Sequence, residues 1–115
     1  MRIYAIEELY TADAKRIAKA LVDRGLAGPL DGIFYLPVPP ELYSDEQREH
    51  ADECGPYIMA LELVERVEES DLRLELLVRA RGKLRCSCIA YATPAQRTHM
   101  MDFLDRFIRE LDISV

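Results

Sequence analysis

Tryptophan is absent from this 115-residue chain, glycine occurs only five times, and cysteine three times. No apolar run approaches the ~18 residues that a membrane-spanning helix needs, so no span is expected. The N-terminal stretch MRIYAIEELYTADAKR lacks an apolar h-region and a small-residue cleavage site. No signal peptide is expected from it. An odd cysteine count does not make a secreted disulfide framework; reduced thiols in a cytoplasmic protein fit better. The sequence also lacks G-x-S-x-G, H-E-x-x-H, a P-loop, a Rossmann glycine pattern and an EF-hand loop. No catalytic residue is assigned, and the reading leans away from an enzyme.

What is present is an ordinary globular composition. Half the residues are apolar and 31% are charged, and the length suits one domain spanning residues 1–115. The net charge of −6 is uneven. Residues 1–40 are neutral, residues 41–71 carry −9, and residues 72–115 carry +3. An acidic chain is repelled by phosphate backbones, which argues against a nucleic-acid partner.

Hydrophobic periodicity and punctuation predict the order β-α-β-(α)-β-β-β-α. Residues 2–8 alternate as a strand. Thr11 is the expected N-cap of a first helix buried through Ala14, Ile17, Ala18, Leu21 and Val22. Residues 32–38 form a short strand that Pro37 confines to an edge. A polar helix follows, with capping-box spacing at Ser44 and Gln47 and a stop at Gly55-Pro56. Three strands come next, starting near Tyr57, Asp71 and Lys83. Thr93-Pro94-Ala95-Gln96 then opens a long amphipathic helix to about residue 111. The fold class is α+β, with one mostly antiparallel sheet of about five strands and two main helices on one face.

The last two strands are expected to form a tight hairpin. Leu72, Leu74, Leu76, Val78 and Ala80 share one face, as do Leu84, Cys86, Cys88 and Ala90 on the next strand. A three-residue loop, Ala80 to Gly82, would pair Val78 with Leu84 and Leu76 with Cys86, with Gly82 left-handed in a G1 bulge. Both cysteines would then be core residues beneath the last helix.

His50, Cys54, Cys86 and Cys88 supply the ligand set of a Cys3His zinc site. His50 and Cys54 are one helical turn apart. Cys86 and Cys88 are not well spaced on an extended strand, where residues two apart are separated by ~6.5–7 Å. Core packing is therefore the first expectation for these cysteines, and a metal centre or a thiol-redox role the alternatives. A further alternative is a small enzyme with a pocket near His50 and Cys54.

The leading functional expectation is a small cytoplasmic interaction or regulatory module that self-associates. Its surface would be the sheet face left uncovered by the helices, carrying Ile58, Val64, Leu77, Ile89 and Tyr91 among Arg73, Arg79 and Arg85.

Overall fold

The computed structural model describes all residues, Met1–Val115. It contains six strands: β1 (Ile3–Tyr10), β2 (Ile33–Pro37), β3 (Tyr57–Glu65), β4 (Glu69–Glu75), β5 (Leu77–Ala80) and β6 (Ala90–Tyr91). Four helices accompany them: α1 (Thr11–Asp23), α2 (Asp45–Glu49), α3 (Ala51–Cys54) and α4 (Pro94–Glu110). The architecture is α+β with one antiparallel sheet. No helix is long and apolar enough to cross a membrane.

The sheet is organised around β3. Ile58 pairs with Pro37 of β2 and with Arg79 of β5, so those two strands flank it on opposite sides. Leu61 pairs with Leu74 on the β5 side, so β4 and β5 are one run broken at Leu76. Between those pairs, three steps along β3 answer five along β4–β5. The slip is two residues, an even number, and alternation survives it. Leu72, Leu74, Leu76 and Val78 are all buried, while Arg73 and Arg79 project to the opposite face.

Both long helices cover the same side. Ile17 and Leu21 of α1 and Leu104 and Ile108 of α4 join Leu61, Leu72 and Leu74 in one core. The guanidinium of Arg24 lies 4.7 Å from the centre of the Phe107 ring and ties α1 to α4. The α4 start follows its sequence signal, with reciprocal Thr93–Gln96 hydrogen bonds and proline in the first turn. Thr11 does not act as a cap. It is the first residue of α1, and its hydroxyl donates to the Glu68 carbonyl instead.

The expected tight hairpin after Val78 does not form. The connection between β5 and β6 runs from Arg81 to Ile89, and Val78 pairs with Ala90 rather than Leu84. Leu84 is 86% exposed, Cys86 is only half-buried, and Gly82 has no positive φ. Alternation alone could not distinguish a strand from this loop. What overrides the alternation is a set of contacts to residues 44–56, described next.

Candidate metal centre

The 37–56 connection packs against the N-terminal end of α4 and the 81–89 loop. A reciprocal capping box between Ser44 and Gln47 starts α2 as the sequence predicts. The polar helix is in fact two short helices, with His50 at their junction. Gly55 ends α3. Gln47 is buried and holds the region together. Its side-chain amide donates to the Cys88 carbonyl at 3.2 Å, and its side-chain oxygen accepts from Gln96 of α4 at 2.9 Å. Gln96 also donates to the Leu42 carbonyl, and the Tyr57 hydroxyl donates to the Gln47 carbonyl.

The loop is stitched to α3 from the other side. The Arg81 amide donates to the Pro56 carbonyl, and the Gly82 amide donates to the Cys54 carbonyl at 2.7 Å. Lys83 pairs with Glu53 at 2.9 Å, and the Ser87 hydroxyl donates to Glu46. Cys86 and Cys88 therefore do not lie on an extended strand. The Ile89 amide donates to the Cys86 carbonyl, closing a turn with Ser87 and Cys88 at its centre. That turn removes the spacing objection raised by an extended C-x-C.

The ligand atoms of His50, Cys54, Cys86 and Cys88 all lie within 4.8 Å of one another. His50 Nδ1 is 3.0 Å from Cys86 Sγ. Around a tetrahedral zinc with Zn–S of about 2.3 Å, neighbouring sulfurs sit about 3.8 Å apart. A contraction of about 1 Å at most brings the widest pair to that geometry. Cys54 and Cys88 are buried at 1% exposure, whereas His50 and Cys86 are half-buried. No disulfide links the cysteines.

The electrostatics distinguish the thiols. Hydrogen bonds from the Cys88 backbone, the Cys88 side chain and His50 lower the Cys86 thiol to about 6. Burial pushes the Cys54 thiol up, and hydrogen bonding to Cys86 and Cys88 adds to this. The bond to Cys86 raises His50 above its usual value. The Cys86 thiol is disposed to ionise near neutral pH, whereas the buried Cys54 thiol needs a cation to do so.

The residues singled out for the open sheet face are placed more diversely. Leu77 and Tyr91 oppose each other across β5–β6, with Leu77 half-buried and Tyr91 47% exposed. Val64 and Ile89 are half-buried, Ile58 is buried, and Arg85 lies exposed in the loop rather than on a strand. None of the main clefts is lined by His50 or Cys54. Sequence reasoning missed the close approach of Gly82 to α3, where it predicts a left-handed turn position, and the roles of Gln47 and Gln96 as tethers. The capping boxes flagged both glutamines, but only for their local role.

Comparison with protein-family models, with curated proteins and with solved structures finds no match to this chain.

Proposed function

We propose that this protein is a small zinc-binding module whose Cys3His centre pins the 81–89 loop to the α2–α3 segment. The convergence of four ligand atoms within 4.8 Å, from two segments over thirty residues apart, carries this reading. Three thiolates and an imidazole in a compact set suit zinc better than the hard cations, which take oxygen ligands. All four positions come from the chain, the pattern of a structural rather than a catalytic site. The metal binds the folded state and so contributes directly to stability. Elemental analysis of purified, untagged protein should give one equivalent of zinc, and chelation should lower the melting temperature. A stoichiometry near zero in protein purified without chelator defeats the proposal.

A second reading concerns what the module does with its other face. Leu77 and Tyr91 form an opposed pair on the sheet face that neither α1 nor α4 covers. Self-association of two copies through this face would shelter them. The basic residues around the pair are suited to meet the acidic 41–71 segment of a second copy.

A further inference from the structure

A cavity of about 330 Å³ opens between the 81–89 loop and the uncovered sheet face. Its size falls at the lower end of small-molecule sites. Three cationic residues, Arg79, Arg81 and Lys83, line it, and no acidic residue does. In a chain with 21 acidic and 15 basic residues, that local excess is opposite in sign to the whole. Concave surfaces lined by one sign of charge concentrate the field and attract the opposite charge.

The three cations differ in how freely they can serve a ligand. Arg79 is bound to Glu75 through two of its nitrogens and is the least available. Lys83 pairs with Glu53, whose side chain is 75% exposed, so an incoming anion competes with a weak surface contact. Arg81 forms no ion pair. Its guanidinium sits 5.2 Å from the centre of the Tyr35 ring, which orders it without using its hydrogen-bond donors on a carboxylate. The rest of the lining is apolar. Ile58 and Ile89 lie within it, and Leu84 stands at 86% exposure on the loop beside them.

We infer that this cavity binds a phosphate monoester carried on a compact aromatic body, a ligand of mononucleotide size. A phosphate dianion matches the two cations that are free or nearly free, Arg81 and Lys83. Its tetrahedral oxygens accept from several directions at once, where a flat carboxylate offers two oxygens in one plane. The aromatic body answers to Tyr35, Ile58, Ile89 and the exposed Leu84, which give apolar contact beside the charge. One wall of the cavity is the loop that the zinc centre pins, and to that extent the inference rests on the metal reading.

The test is a titration of isotope-labelled, zinc-loaded protein followed by amide chemical shifts. Adenosine monophosphate and phenyl phosphate serve as whole-ligand probes, and inorganic phosphate and adenosine as half-ligand probes. Saturable shifts confined to residues around 58, 79–84 and 89 are expected with at least one ester, about tenfold tighter than with either half. Arg81→Ala and Lys83→Gln, both at exposed positions, should each weaken binding by about tenfold or more while leaving the spectrum of the fold intact. No saturable shift with either ester overturns the inference. So does inorganic phosphate binding as tightly as the esters, or unchanged affinity in both variants. Metal content measured on the same samples separates the two readings. In the wild type, absent ester binding with zinc present counts against the cavity, whereas ester binding in protein that holds no zinc counts against the metal centre alone.

Discussion

Gly82 and Cys54 are in contact through their backbones, with the Gly82 amide donating to the Cys54 carbonyl at 2.7 Å. A Cβ at position 82 would lie 2.3 Å from the Glu53 carbonyl oxygen and 3.0 Å from that of Cys54. The 81–89 loop reaches α3 only because residue 82 has no side chain. Gly82→Ala should therefore push the loop away from Cys54. Overpacking against backbone, which cannot swing aside as a side chain can, costs about 1–3 kcal/mol. Denaturant unfolding and zinc competition on this variant should show lower stability together with weaker metal binding. Wild-type values for both would mean that the loop is held by something else.

Metal affinity should depend on pH with a definite sign. Cys86 ionises near 6, His50 keeps its proton to a higher pH than usual, and burial opposes ionisation of Cys54. Binding must remove each of these protons, so protons and metal compete. Affinity should fall steadily as pH is lowered from 8 to 5, and binding at neutral pH should release protons into the buffer. Cobalt titrations read by thiolate charge-transfer absorbance at several pH values measure this directly. A pH-independent affinity would exclude the thiols as ligands.

Gln47 makes a separate prediction because it bridges α4 to the loop without being a ligand. It is 2% exposed and bonds to Cys88, Gln96 and Ser44. Gln47→Leu fills much of the same volume but leaves the Cys88 carbonyl and the Gln96 amide without that partner. Buried groups left unpaired cost about 1–3 kcal/mol. Stability should drop by that amount in thermal or denaturant unfolding, and zinc should still bind at one equivalent. Loss of stoichiometric metal would give Gln47 a larger part in shaping the site than its bonds suggest.

The elements with strong local chemistry were legible in the sequence. Thr93-Pro94 and Gln96 mark the α4 start, Ser44 and Gln47 mark α2, and the apolar period of β3 and β4 identifies the core face. The ligand set was legible as residue types at His50, Cys54, Cys86 and Cys88, but its geometry was not. Alternation in KLRCSCIAYA reads as a strand because period two is a pattern of polarity, and it is blind to which backbone amides find partners. In the structure the Arg81 and Gly82 amides just before this stretch go to Pro56 and Cys54, and within it the Ile89 amide goes to Cys86. These are tertiary bonds to residues far back in the chain or a turn that only they stabilise. Gly82 was legible as a glycine with a backbone role, but that role is close approach to α3 rather than a left-handed turn position.

Self-association through the open face has its own test, independent of metal and ligand. Leu77 and Tyr91 are directly opposed on adjacent strands, so two charges placed there lie at the centre of the proposed contact. A dimer of standard size buries about 800 Å² on each partner, and like charges at its centre are incompatible with that burial. Arg2 already packs over the Tyr91 ring at 4.7 Å, so Tyr91→Glu retains a neighbouring cation within the same molecule. The fold of the variant should survive. Analytical ultracentrifugation of the wild type should show a dimer, and the Leu77→Glu, Tyr91→Glu variant should sediment as a folded monomer with zinc still bound. A monomeric wild type, or a dimer indifferent to both charges, rules this face out as the contact.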